Sequence, residues 1–369
     1  MRNEPTPAAY EWPDAAWLRR FRRKLLAWYA CNARDLAWRH APDAYHVWVS
    51  EIMLQQTQVA TVERYFPRFI AAFPTPAHLA SAPEHEVLRL WEGLGYYRRA
   101  RQLHRAAQEI MRDHDGKFPT NRDAVGRLPG IGRYTAGAIL SIAYDAREPI
   151  LEANTIRLLS RLIAYRDDPR KKAGQDVLWR LAESVLPRRG SSKLNQALME
   201  LGSLVCTPRN PACLRCPLVE LCPTFRQSIA HLIPRPQPRP KVELVREALV
   251  VVRHREKVLL RQRQPGERWA GLWDFPRFDI SSCADREPVE IVARLAAATG
   301  VSARLAEPLT TLKHGVTRFR ITLECHWADC VKKPPRRPEL RWLRPVELAD
   351  YPLNTTGRKV ARFISRESD

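Results

Sequence analysis

Four of the eight cysteines lie close together at Cys206, Cys213, Cys216 and Cys222, in the spacing Cys-x6-Cys-x2-Cys-x5-Cys. Four thiolates so near in sequence can close around one metal centre. Structural zinc sites usually pair their ligands as two short knuckles. One short gap between two long ones suits loops wrapped around an iron–sulfur cube instead. Pro208, Pro211, Pro217 and Pro223 stop any helix from running through the loop. The alternative is a zinc ribbon of unusual spacing, or four unrelated thiols; the even count and tight grouping favour one 4Fe–4S cluster. Thiolates that must stay free imply a reducing compartment. The remaining cysteines, Cys31, Cys283, Cys325 and Cys330, are scattered and read as buried hydrophobes.

Two further stretches carry candidate chemistry. Glu51 lies on an apolar helix beginning near Trp48, among Val49, Ile52, Met53 and Leu54. A carboxyl in such company has a raised pKa and holds a proton it can donate. The alternative, a solvated helix face, is opposed by apolar neighbours on both sides. Residues 128–137 read LPGIGRYTAG: Leu128 ends one segment, Gly130 and Gly132 turn tightly, and Arg133 starts a helix. Such a turn aims backbone N–H groups and the positive end of a helix dipole at one point, a place for a phosphate. An ordinary helix–helix turn has the same pattern; the cysteines and the charge favour nucleic acid.

Lysine and arginine total 61 against 40 acids, a net charge of +21 that arginine dominates. The natural partner is an anionic polymer. A membrane surface is the runner-up, but no apolar stretch reaches spanning length, and the N-terminus lacks a secretory h-region. These features predict a soluble intracellular protein.

At 369 residues the chain accommodates two or three domains. Apolar residues recurring at three and four predict helices over 58–72, 84–92, 96–114, 133–144, 154–164, 175–186 and 192–205. IPRPQPRPK, residues 233–241, predicts an extended spacer. Beyond it EALVVV, KVLLRQR, FRITLECHWA and residues 341–343 read as strands, and 286–298 as a helix. The expectation is an all-α half joined to a smaller α+β half.

LPGIGRYTAG resembles the helix-hairpin-helix of the endonuclease III-like DNA glycosylases, and the cysteine spacing is similar to their 4Fe–4S loop. More narrowly, WVSEIMLQQTQVATV (48–62), WEGLGYYRRARQLHRAA (91–107), LNQALMELGSLVC (194–206) and WAGLWDFP (269–276) resemble the adenine-specific, mismatch-directed DNA glycosylases, the MutY family. The likeness runs over nearly the whole chain. It implies a helical catalytic domain over 1–232, with a six-helix lobe at about 32–146 and an iron–sulfur lobe from 1–31 and 147–232. A Pro-rich linker at 233–243 and a Nudix-like domain at 244–369 would follow. The implied activity is a monofunctional DNA N-glycosylase that removes adenine mispaired with 8-oxoguanine or guanine. It would act as a monomer on duplex DNA, in the cytoplasm at a bacterial nucleoid. A glycosylase of altered base choice and a non-catalytic lesion binder are the alternatives.

The resemblance also implies roles. Glu51 would protonate a ring nitrogen of adenine. The family usually carries Asp-Gly-Asn for the second carboxylate; here Glu152, Ala153 and Asn154 stand there, with Asn154 orienting the carboxylate and Tyr134 hydrogen-bonding it. Strand-cutting relatives carry Lys at the position of Tyr134, and no Lys occurs between Lys117 and Lys171, so no efficient lyase step is expected. Arg34, Trp38, Arg39, Leu54 and Gln196 would form the adenine pocket. Gln55 and Tyr96 would be wedges, with Gln56, Arg98, Arg99, Arg101, Leu128, Gly130, Gly132 and Arg133 also at the DNA; a solvated face is the alternative for the arginine run, and the neighbouring motifs favour DNA. Arg209 and Arg215 would reach phosphates. In the C-terminal half Ala297 and Ala298 replace the metal-binding acids of a working Nudix helix, so binding without hydrolysis is expected. Val316, Thr317 and Arg318 stand in place of the family's Phe-Ser-His lesion-reading loop, with His314 nearby.

Overall fold

The computed structural model describes residues 10–40, 42–236, 241–282, 287–332 and 336–367. The chain divides into two compact units, Met1–Ser81 with Gln102–Pro238, and Ala82–Arg101 with Arg239–Asp369. The segment 82–101, expected in the helical half, therefore groups with the C-terminal residues. Part of the proline linker, 237–240, and Cys283 lie outside the described residues.

The helices are α1 (Ala15–Asn32), α2 (Ala44–Leu54), α3 (Val59–Ala72), α4 (Pro76–Ser81), α5 (Glu84–Leu90), α6 (Arg98–Asp113), α7 (Arg122–Arg127), α8 (Arg133–Tyr144), α9 (Ala153–Leu162), α10 (Lys172–Val185), α11 (Ser191–Leu204) and the single turn α12 (Pro223–Arg226). Phe21 and Leu25 of α1 pack with Leu158, Leu178, Leu198 and Leu201 from α9, α10 and α11. On α2, nine of 11 residues are buried, so this helix has no solvated face and Glu51 has nowhere wet to turn. Asp43 caps it by accepting the N–H groups of Tyr45 and His46.

The second unit holds β1 (Glu243–His254), β2 (Lys257–Gln262), β3 (Trp273–Asp274), β4 (Arg277–Asp279), α13 (Glu287–Thr299), β5 (Ala303–Val316), β6 (Phe319–Cys330), β7 (Leu340–Leu343) and α14 (Thr355–Glu367). The sheet runs β3-β2-β1-β6-β5, with β4 on β1 and β7 on β2; β1 and β6 are parallel. Leu249 and Val251 face α14 through Val360 and Ile364. Ala248, Val250 and Val252 face α13 through Ile291 and Leu295. Burial on both faces explains the unbroken apolar run of β1. The sequence pattern misses β5, whose Pro308 sits at a register shift against β6.

The scattered cysteines divide: Cys325 is buried as expected, but Cys31 is exposed. Among the described residues no helix is long and apolar enough to cross a membrane.

Candidate active site

One cleft of about 560 Å³ in the first unit is lined by Glu51, Glu152, Tyr134 and Asn154 together with Arg34, Trp38, Arg39, Leu54 and Gln196. All nine residues expected to do chemistry or hold the base thus meet in one place, from α2, α8, α11, the start of α9 and the loop after α1. Gln55, Gln56 and Gly132 stand on its lining as well.

Glu51 is 4 % exposed. Burial, reinforced by the charge of Glu152, pushes its pKa up to about 7, against the opposing pull of Tyr134 and Arg39. Tyr134 Oη donates to Glu51 Oε2 at 2.6 Å. The sequence reading paired this hydroxyl with Glu152; the packing of α8 against α2 gives it to Glu51 instead. Burial, then the charges of Glu51 and Glu152, hold the phenol well above its ordinary pKa, so it stays a neutral donor.

Glu152 takes a different environment. It is the N-cap of α9, its two oxygens accepting the N–H groups of Asn154 at 2.8 Å and Thr155 at 2.9 Å. Thr155 Oγ1 accepts the N–H of Glu152 in return, which closes a capping box. Burial raises the pKa of Glu152 overall, although those N–H groups and the charge of Arg157 draw it part of the way back. The helix end also favours the anion. The extra methylene relative to Asp is thus absorbed by folding the side chain back onto the helix.

Asn154 serves the carboxylate chiefly through its backbone. Its Oδ1 accepts from Arg157 Nη2 at 2.8 Å, and the same guanidinium donates to Gly202 O at 2.7 Å and Cys206 O at 2.6 Å. Gly202 on α11 is required here: a Cβ would lie 2.9 Å from Asn154 Cβ and 3.1 Å from its carbonyl oxygen.

The arginines of the pocket depart from expectation. Arg34 donates to Glu200 from Nε at 2.7 Å and Nη2 at 3.0 Å, and Arg39 Nη2 donates to Glu200 at 2.9 Å. Burial alone would raise the pKa of Glu200; the arginine bonds overturn it and hold the group at about 2. Their guanidiniums hold this buried anion while also lining the cleft. Glu200, which the sequence reading missed, lies one turn beyond Gln196 on α11, and that i, i+4 spacing was its available signal. Tyr29 Oη donates to Gln196 Oε1 at 3.3 Å, fixing the amide from below.

The four cysteines surround a single apolar pocket with Leu158, Leu162, Val205 and Phe225, and none forms a disulfide. Among the described residues no group of three His, Cys, Asp or Glu is arranged to hold a lone metal ion. Burial pushes Cys216 to about 12 and Cys222 to about 11, so the iron of a bound cluster supplies the positive charge that four thiolates need. Arg161 Nη1 lies 3.3 Å from Cys206 Sγ and donates to Thr207 O at 2.8 Å, bracing the loop. Leu214, Arg209 and Arg215 stand exposed on it.

Residues 49–184 match the HhH-GPD superfamily of base excision DNA repair proteins. Residues 206–222 match the iron–sulfur binding domain of endonuclease III, and 247–362 the NUDIX domain. An adenine DNA glycosylase of Buchnera aphidicola is 36 % identical over 260 residues, covering 70 % of this chain and 75 % of that one. The adenine DNA glycosylase of Mus musculus is 32 % identical over 405 residues, covering 95 % and 79 %. The chain belongs to the adenine DNA glycosylases. A solved structure of a thermostable thymine-DNA glycosylase is 28 % identical and covers 58 % of this chain and all of that one, with a TM-score of 0.53.

A member of this family is a hydrolase of N-glycosidic bonds in DNA, carries a 4Fe–4S cluster and acts in base excision repair. The helix-hairpin-helix is α7, the turn at 128–132 and α8. Leu128 is buried under the turn; Gly130 has φ +79 and abuts Gln102, where a Cβ would come within 2.8 Å. Gly132 caps α8 with no side-chain partner for its first N–H groups. Arg133 is exposed, its guanidinium stacked 3.8 Å over the Trp179 ring.

Of the expected wedges, Gln55 is half-buried, its Nε2 donating to Thr135 Oγ1 at 3.4 Å. Gln56, expected only as a further DNA contact, is exposed at φ 57. In the second unit Tyr96 is 52 % exposed at φ 47, and Arg98 is exposed beside it. Arg99 is buried, donating to Leu94 O and Gly95 O and lying against the Trp91 and Tyr96 rings. It shapes the turn and is not placed as a phosphate clamp; helical period turns it to the inner face of α6. Arg101 likewise donates inward, to Ala270 O. On the β5–β6 hairpin Thr317 is exposed at φ 51. Arg318 pairs with Glu243 at 2.9 Å. His314 is half-buried, and burial together with Arg277 and Arg268 lowers its pKa to about 4.

Proposed function

We propose that the chain removes adenine paired with 8-oxoguanine or guanine in duplex DNA, acting as a monomer, and leaves an abasic site without cutting the strand. The observation that carries this reading is the pair of unlike carboxyls in one cleft, a dry Glu51 and a helix-capping Glu152. With the nucleotide out of the stack, Glu51 gives its proton to a ring nitrogen of adenine. The bond between C1′ and N9 breaks and its electrons leave with the base. The Glu152 carboxylate stabilises the positive sugar while a water adds at C1′; the proton it loses passes to solvent, and Glu51 regains one from solvent for the next turnover.

Trp38 and Leu54 offer apolar surface to the faces of the purine. Gln196 offers its amide oxygen as an acceptor to an exocyclic amine, which adenine has and thymine lacks. No lysine occurs between Lys117 and Lys171 to attack C1′, which supports release of the base alone. Tyr96 and Gln56 are the residues we assign to the gap in the duplex, and the exposed hydroxyl of Thr317 to the opposite base.

Single-turnover assays on duplexes bearing A·8-oxoguanine, A·G, T·G and thymine glycol test the reading. Adenine release from the first two supports it. Excision of thymine or its glycol instead, or binding with no release, contradicts it. Borohydride trapping should yield no covalent adduct; a trapped adduct would overturn the monofunctional assignment.

A further inference from the structure

We propose that the C-terminal half of the chain holds the Tyr96 turn in place, and that Glu92 and Arg358 are the positioning pair through which it does so. The proposal rests on the reading of Tyr96 as a side chain that enters the duplex. A wedge is pushed back by the stack it opens, so the turn that carries it needs a rigid support. Tyr96 sits at φ 47, a conformation uncommon for a non-glycine residue. Such a turn persists only when its surroundings over-determine it.

The support comes from two directions. Locally, Arg99 donates to Leu94 O at 3.1 Å and Gly95 O at 3.2 Å, and Trp91 Nε1 donates to Gly95 O at 3.1 Å. These bonds shape the turn without fixing where it stands. Its anchorage lies some 250 residues on in sequence, within the same compact unit. Arg358 of α14 donates to Glu92 from Nε at 2.7 Å and from Nη2 at 2.9 Å, and the two side chains are only 16 % and 15 % exposed. The paired fork geometry sets direction as well as distance. Glu92 also accepts the N–H of Leu353 at 3.2 Å. Arg358 is itself immobilised by Leu348 O and Tyr351 O, both at 2.7 Å. On the other side of Tyr96, buried Tyr97 donates to Leu353 O at 3.4 Å and accepts the N–H of Gly93. Tyr96 therefore projects between two residues that are both bonded to the segment leading into α14.

The same unit carries the β5–β6 hairpin with Thr317. The two exposed side chains assigned to the lesion strand, Tyr96 and Thr317, are thus mounted on one body, although they come from opposite halves of the sequence. Glu92 and Arg358 touch no substrate in this account. They act through the placement of Tyr96.

A double-mutant cycle tests this. Glu92→Gln and Arg358→Gln are each made alone and on a Tyr96→Ala background. The readouts are single-turnover adenine release and the stopped-flow fluorescence of a 2-aminopurine placed beside the mispair. Misplacement of the wedge should slow release about 10-fold and blunt the fluorescence rise, with Tm and cluster absorbance unchanged. On the Tyr96→Ala background Glu92→Gln should add nothing, and the charge swap Glu92→Arg with Arg358→Glu should restore part of the loss. Should Glu92→Gln lower Tm, Tyr97→Phe, which removes one hydroxyl, carries the same test. Full wild-type rates in the pair variants, with Tyr96→Ala slow, overturn the proposal alone. Losses that add fully to that of Tyr96→Ala overturn it too. A Tyr96→Ala enzyme at wild-type rate removes the wedge reading and the proposal with it.

Discussion

Tyr134 donates a 2.6 Å hydrogen bond to Oε2 of Glu51, so its phenol is tied to the proposed acid. The bond favours the ionised form of Glu51 and moderates the rise that burial imposes. Replacing it with Phe should raise the Glu51 pKa further. The rate of base release, which needs the protonated form, falls as pH rises through that pKa. Tyr134→Phe should therefore move the alkaline limb of the single-turnover profile to higher pH, while lowering the plateau about 10-fold through looser placement of the acid. A limb that stays put or moves down would break the link between the two residues.

Glu51 also leaves a mark on stability. Its folded pKa of about 7 exceeds the ordinary 4.5, so between those values the folded state binds the extra proton and stability falls as pH rises. Glu51→Gln should be near neutral in Tm at pH 4.5 and stabilising at pH 8, by up to about 3 kcal/mol. Thermal melts of both proteins across that range check the sign; a variant destabilised at pH 8 would show that Glu51 is not held against its charge.

Glu152 does two jobs that one substitution separates. Glu152→Ala removes the cap of α9 and should cost about 1 kcal/mol in unfolding free energy. It also removes the anion beside the sugar and should slow base release by on the order of 10²-fold or more. Glu152→Gln keeps one acceptor for the helix end, so it should recover stability without recovering rate. Denaturant melts and single-turnover kinetics on the two variants give the answer.

Much of this was legible in the residues. The cysteine loop, the hairpin turn and the dry setting of Glu51 all follow from local spacing, and α8 begins and ends at the expected residues 133 and 144. What stayed hidden depends on how distant elements are rotated against one another. Tyr134 and Glu51 are 83 residues apart, and nothing local says which carboxylate the phenol meets. Glu200 stands one turn from Gln196, but nothing local says that Arg34 and Arg39 close over it. Arg99 looked like a phosphate clamp because the run Arg98, Arg99, Arg101 is uniformly basic, although the period of α6 turns it inward. The segment 82–101 offers no sequence sign that its Glu92 pairs with Arg358.

Gly202 offers a test of placement free of any charge. Gly202→Ala brings a methyl within 2.9 Å of Asn154 Cβ and 3.1 Å of its carbonyl oxygen, neither of which can rotate away. The start of α9, and Glu152 with it, must shift. We expect about 1–3 kcal/mol of destabilisation and a loss of rate with duplex binding retained. Wild-type turnover in a folded Gly202→Ala protein would mean that the position of α9 is not critical.

The most direct measurement is single-turnover release of adenine from an A·8-oxoguanine duplex by the wild-type chain and by Glu51→Gln, each from pH 5 to 9. The wild-type rate should fall as pH rises through about 7, and Glu51→Gln should bind the duplex and release no adenine at any pH. Release by Glu51→Gln at a rate near wild type would contradict the assignment of Glu51 as the proton donor.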